Sequence, residues 1–275
     1  MALSEKEISA LRPDALYPAE IEAYTEGAGV KKATTPTPKV IVSSMLAGMF
    51  IGFGALMYCL VGADTELSFA ASRLLCGIAF TIGLILVLCA GSDLFTGNIL
   101  LIQAKLSGKL KWGQVIKNWC TVWIGNLLGA LFAVLLVYGS HIASMNGGEV
   151  AHAMVHVGEV KMTPDWMTIF TKGILCNIFV CLAVWISYGS RTIPGKILGI
   201  LWPVAAFVAC GFEHCVANMF FLPMAVLSNV GPEAVAGVDL NGILFNLSAS
   251  TPGNIVGGLI VGIAYWFLFH QKKTA

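Results

Sequence analysis

His214 lies in the pattern Gly211-x-Glu213-His214-x-x-Ala217-Asn218, and a related pattern, Gly91-x-Asp93-x-x-x-Gly97-Asn98, begins 120 residues earlier. Both sit inside long apolar stretches. An ionisable side chain at membrane depth is costly, and where one occurs it faces a bundle interior or a water-filled path and serves ions, protons or substrates. Glycine and asparagine beside it signal an interrupted helix, which is tolerated in a bilayer only where it is buried in protein or lines a cavity. An imidazole titrates near pH ~6.5 in water, so His214 can exchange a proton with a weak acid near neutrality. Asp93, Asn98, Glu213 and Asn218 are read as structural residues of the two breaks, the carboxylates capping exposed backbone N–H groups.

The elements that must position these residues are apolar. The 275-residue chain is 57% hydrophobic and 11% charged, with a mean hydropathy of +0.82; soluble domains carry about 25% charged residues. This is the composition of an all-α integral membrane protein. A net charge of +1 without a clustered basic face excludes a nucleic-acid partner. The eight cysteines have neither metal-ligand nor disulfide-framework spacing and read as small, buried, reduced hydrophobes. About thirty-five mixed polar residues come first, with no cleavable leader expected.

Apolar stretches near 39–61, 69–104, 113–139, 166–188, 194–227 and 252–270 predict six transmembrane helices. The second and fifth are too long for one plain helix and hold the two interrupted motifs. Residues 1–35 form a cytoplasmic N-terminal segment with an expected surface helix around Ala15, Glu20, Ile21, Glu22 and Gly27. Residues 36–270 form a single transmembrane pore domain, and 271–275 a cytoplasmic tail.

Basic residues gather on one set of connections: Lys31, Lys32, Lys39, Lys105, Lys109, Lys111, Lys117, Arg191, Lys196, Lys272 and Lys273. The opposite connections carry Asp64, Glu66, Glu149, Glu159, Asp165, Glu233 and Asp239, with Lys161 as the basic exception. Both termini are therefore expected in the cytoplasm, and the loops 140–164 and 229–250 outside. A second repeated motif, Gly125-Asn126-Leu127-Leu128-Gly129 and Gly253-Asn254-Ile255-Val256-Gly257, extends the internal match. Two units of three spans, about 36–140 and 165–270, must enter the membrane from opposite faces, which makes an inverted repeat with broken helices 2 and 5. The four-residue glycine spacing reads as close helix packing.

Gly91-Ser-Asp-Leu-Phe-Thr96, Lys117-Asn-Trp119, Gly125-Asn-Leu-Leu-Gly129, Cys181-Leu-Ala-Val-Trp-Ile-Ser187 and Gly211-Phe-Glu-His-Cys-Val-Ala-Asn-Met219 resemble the formate/nitrite transporter family, in its formate-channel branch. The resemblance covers about residues 25–270. It implies an aquaporin-like protomer assembled as a homopentamer in the inner membrane, with a pore in each protomer for formate or a similar small monovalent anion. It further implies that His214 and Thr96 form a proton relay and gate, and that Lys161 and Asn177 serve anion attraction and pore lining. Phe80, Leu84, Phe95, Val180 and Phe207 fall at its apolar constrictions. Cys215 stands where formate channels often carry serine, and Lys172 is a second departure.

A positive charge at Lys161 would concentrate anions at the mouth, and a weak acid protonated at His214 would cross apolar rings as a neutral molecule. Partners are thus the anion, protons, membrane lipid and further copies of the chain; no cofactor and no metal is expected. Nitrite or hydrosulfide would fit the same fold. A neutral-solute channel of the aquaporin kind is opposed by the lack of paired Asn-Pro-Ala tripeptides, and an enzyme by the lack of a nucleophile with a base or a phosphate loop. His152 and His156 share four-residue spacing but lack a third ligand.

Overall fold

The computed structural model describes residues 15–232 and 234–270. Lys272, Lys273, the rest of the tail, Glu233 and the first fourteen residues of the N-terminal segment lie outside the described residues. The helices are α1 (Pro18–Thr34), α2 (Thr37–Gly62), α3 (Phe69–Phe80), α4 (Ile82–Ala90), α5 (Phe95–Asn98), α6 (Leu101–Leu106), α7 (Trp112–Gly139), α8 (Glu149–Met162), α9 (Trp166–Gly189), α10 (Ile193–Ala209), α11 (Cys215–Ser228) and α12 (Leu240–Phe269).

Five stretches are long and apolar enough to cross a membrane: Thr37–Gly62, Phe69–Ala90, Trp112–Gly139, Trp166–Gly189 and Leu240–Phe269. Two shorter apolar helices, α10 and α11, flank the second break. Large apolar side chains such as Leu135, Trp202 and Phe267 stand on the outside of the bundle, a surface that suits lipid or another chain.

Close helix approach explains the glycine spacing. A Cβ on Gly129 of α7 would run into the Met45 carbonyl of α2, and one on Gly257 of α12 into the Ile174 carbonyl of α9. Without side chains at these points, backbones meet and dispersion contacts replace the missing hydrophobic drive between helices in lipid. Helix starts are capped by side chains at the surface: Asp165 accepts from Thr168 N (3.0 Å), Thr192 from Gly195 N (3.2 Å) and Asp239 from Gly242 N (2.9 Å).

Three expectations change. The segment 229–250 is not all loop, because α12 starts at Leu240. Asn241, Asn246, Ser248 and Ser250 lower its apparent hydropathy, yet Asn246 and Ser250 are fully buried inside the bundle. The segment 140–164 contains α8, which packs on α11 and carries Lys161. And α1, although helical, turns a polar face inward: Ile21, Glu22, Thr25, Glu26 and Gly29 are buried against protein, so it is not a helix laid on lipid by an apolar stripe. The cysteines are free; Cys59, Cys76, Cys176, Cys181 and Cys215 are buried, whereas Cys120 and Cys210 are exposed.

Candidate functional site

Both helix breaks turn on a left-handed glycine, Gly91 (φ 86°) and Gly211 (φ 71°), a conformation other L-residues rarely adopt. Each break is then tied by an asparagine from a neighbouring span. Asn126 accepts from Phe95 N (2.9 Å) and donates to the carbonyls of Asp93 (2.9 Å) and Ser44 (2.7 Å). Asn254 accepts from Cys215 N (2.8 Å) and donates to Glu213 O and Gly173 O (both 2.8 Å). These are the asparagines of the repeated Gly-Asn motifs, and the carboxamides do the capping that sequence reading gave to Asp93 and Glu213.

The carboxylates have other partners. Glu213 Oε2 accepts from Lys161 Nζ (3.2 Å), Asn218 Nδ2 (2.7 Å) and Asn246 Nδ2 (3.2 Å), while Asn246 also donates to Lys161 O (2.8 Å). Asp93 Oδ1 lies 3.4 Å from Lys32 Nζ and 3.3 Å from Asn98 Nδ2, and Oδ2 accepts from Ser43 (2.9 Å). Asn98 accepts from Lys32 Nζ (2.5 Å), and Asn118 donates to Lys32 O (3.2 Å). The two networks repeat the same set: a lysine, a carboxylate, the asparagine five residues on, and an asparagine of the next long helix. Lys161 is therefore an ion-paired, mostly buried cation and not a free loop charge. Lys32, read from sequence only for topology, is its counterpart.

Between these networks, Thr96 Oγ1 and His214 Nε2 meet at 2.9 Å, both buried. His214 is the N-cap of α11, where its Nδ1 accepts from Ala217 N (3.0 Å). A backbone N–H can only donate, so Nδ1 carries no proton in this state and the neutral ring presents Nε2–H to the Thr96 hydroxyl. His214 also lines a recess with Phe80, Phe207, Phe221, Tyr58 and Lys161. The Phe80 ring stands edge-on to Phe207 (6.0 Å) and stacks on Phe221 (6.2 Å). Phe221 and Tyr58 were not singled out from sequence, because nothing distinguishes them from ordinary core residues there.

The other expected residues lie elsewhere. Asn177 is fully buried and spends its N–H groups on Thr96 O (3.2 Å) and Asn254 O (2.6 Å); it supports the first break instead of facing the recess. Leu84, Phe95 and Val180 are buried in the main core, and Phe95 borders a separate apolar groove with Trp119 and Trp123. Arg73 of α3 closes the end of α10 by donating to Ala209 O (2.7 Å) and Val208 O (3.3 Å) and holds the Tyr58 hydroxyl (3.2 Å). His152 and His156 are helical, yet His156 pairs with Glu159 (3.7 Å) and no third ligand joins them among the described residues. Cys215 is buried, and Lys172 contributes its carbonyl to Glu213 N (3.3 Å).

Residues 19–267 match the family described as formate/nitrite transporter. The chain belongs to the formate/nitrite transporter family. It is an integral membrane transport protein and not an enzyme. Among similar members of this family, the formate channel FocA of Escherichia coli K12 is 38% identical, over 94% of this chain and 96% of that one. The formate channel FocA of Haemophilus influenzae is 34% identical, over 98% and 99%. A solved structure, a pentameric formate channel with formate bound, superposes with a TM-score of 0.80 at 34% identity, covering 88% of this chain and 99% of that one. An ion channel of the same family gives a TM-score of 0.81 at 30% identity, covering 90% and 98%. In this formate/nitrite transporter, the two lysine networks and the Thr96–His214 contact are the polar groups gathered at the two helix breaks.

Proposed function

We propose that this chain is a transmembrane pore for formate and similar small monovalent anions, in which the anion exchanges a proton at His214. The carrying observation is the Thr96–His214 contact, enclosed by apolar residues and flanked by two lysine–carboxylate networks. A bare anion pushed through an apolar constriction loses hydration worth several kcal/mol or more. Lys161 on one side and Lys32 on the other offer ammonium donors where an anion enters, each shared with its carboxylate so that the anion is bound weakly and not trapped.

At the centre the charge must be cancelled. A proton entering from the same solution as the anion binds the ring at Nδ1, releasing Ala217 N–H, and the imidazolium gives its Nε2 proton to a carboxylate oxygen. Formic acid then passes the aromatic rings uncharged and gives its proton to water beyond them; the ring, left neutral with Nδ1–H, loses that proton and takes one up at Nε2 as the cap re-forms. Phe80, Phe207 and Phe221 would form one constriction and Leu84, Phe95 and Val180 the other, with Asn177 holding Thr96 in place.

The architecture proposed for this function has six crossings, α10 with α11 supplying the fifth, in two inverted three-helix repeats. The matched Asn126/Asn254 and Lys32/Lys161 networks support that reading. Kinship with a pentameric formate channel supports a homopentamer, and the gathering of basic residues on one face supports cytoplasmic termini in the inner membrane.

Purified protein in liposomes should carry formate, with a reversal potential that moves when an opposed proton gradient is imposed. A potential that follows formate alone would make the pore a passive anion channel. Larger flux for nitrite or hydrosulfide than for formate would displace formate as the substrate.

A further inference from the structure

The face that carries both described chain ends holds a buried cluster that the pore does not use. Glu22 and Glu26 stand one turn apart on α1, each 2% exposed, and His270 follows the end of α12. One donor atom from each lies within 4.8 Å of the others. His270 Nδ1 is 3.1 Å from Glu26 Oε1 and 3.5 Å from Glu22 Oε1. Among the described residues, Glu22 Oε1 is nonetheless a buried acceptor without a hydrogen bond, an unusual state for a buried oxygen.

Two carboxylates and an imidazole are a ligand set for a divalent ion. Four ligands at the ~2.0–2.2 Å bond lengths of tetrahedral zinc are separated from one another by about 3.3–3.6 Å; the longer His270 distance, 3.5 Å, falls in that range and the shorter, 3.1 Å, just below it. Supporting contacts are present. Trp266 stacks on the His270 ring (5.2 Å, 21°) and donates to Ser107 Oγ (2.8 Å). Ser107 Oγ, 3.3 Å from His270 Nδ1, also bonds Glu26. Such partners orient metal ligands.

Among the described residues the lysine at the cluster is Lys109, which contacts Glu26 Oε2 with a half-exposed side chain. It neutralises Glu26, while Glu22 Oε1 has the His270 ring 3.5 Å away and no hydrogen bond among the described residues.

We propose that Glu22, Glu26 and His270 bind a divalent transition-metal ion of the Zn2+ class, pinning α1 to the end of α12, with Lys109 as its competitor. The ion would also fix Lys32, which lies on the same helix and reaches Asp93.

The test uses the full chain, purified without a histidine tag, stripped with EDTA and titrated with Zn2+ by calorimetry. One ion per chain is expected. His270→Ala and Glu22→Gln should each weaken binding by more than about tenfold, while the double variant His152→Ala, His156→Ala should leave it unchanged. Absence of a saturable site, unchanged affinity in His270→Ala, or loss only in the His152/His156 variant would overturn the proposal. Should the ligand variants fail to assemble, Lys109→Ala decides, since it keeps every ligand: tighter Zn2+ binding supports the site, and equal or absent binding refutes it.

Discussion

Ala217 N–H fixes which nitrogen of His214 is free to carry a proton, and this defines what a substitution can test. Protonating Nδ1 gives up the N-cap of α11, an interaction of about 1 kcal/mol, so proton uptake and the start of that helix are coupled. Asparagine is among the best N-cap residues and cannot titrate near neutrality. His214→Asn should therefore keep the fold and assembly while flattening the change of formate uptake between about pH 5 and pH 8. A variant that assembles and retains both wild-type flux and its pH profile would remove proton exchange at His214. Lys161 also looks different at this scale. A solvated charge would be screened by salt, but a lysine bonded to Glu213 with a mostly buried side chain acts through its fixed network.

At the scale of the element, the breaks stand because Asn126 and Asn254 satisfy backbone groups that no helix can. Asn254→Leu removes bonds to Cys215 N, Glu213 O and Gly173 O together. Buried orphans of this kind cost about 1–3 kcal/mol each in water, and interhelical polar contacts in membranes are weaker, up to about 1.7 kcal/mol. A total loss of about 2–4 kcal/mol is expected, measured as a lower thermal midpoint in detergent; Ser248→Ala, at an exposed site, should change little. An unaltered midpoint in Asn254→Leu would show that the break is held by something else. The breaks themselves were legible, because glycine, a carboxylate and asparagine have no reason to sit together in an apolar span. Their ties were not, since Asn126 reaches Asp93 across 33 residues and Lys32 reaches it across 61. The buried start of α12 was hidden for the opposite reason: Asn246 and Ser250 read as loop, although they face the Glu213 network.

For the whole molecule, sidedness follows from which connections share a face. His270 meets Glu26 of α1, Leu16 N bonds Gly189 O at the end of α9 (2.7 Å), and Lys109 reaches Glu26. The loops rich in lysine and arginine and both described ends thus lie together. On the opposite face Asn146 bonds Ala63 O (3.2 Å), and Asn229 holds the loop through Val235 and Val238. Basic loops stay in the cytoplasm, so Met145→Cys and Val230→Cys should react with an impermeant thiol reagent added to intact cells, and Lys39→Cys should react only after the membrane is opened. Cys120 and Cys210 are exposed on the chain, so the eight native cysteines must first be replaced. Labelling of Lys39→Cys in intact cells, with Met145→Cys and Val230→Cys protected, would invert the protein in the membrane, and Lys161 would then meet the anion from the cytoplasm and Lys32 from outside.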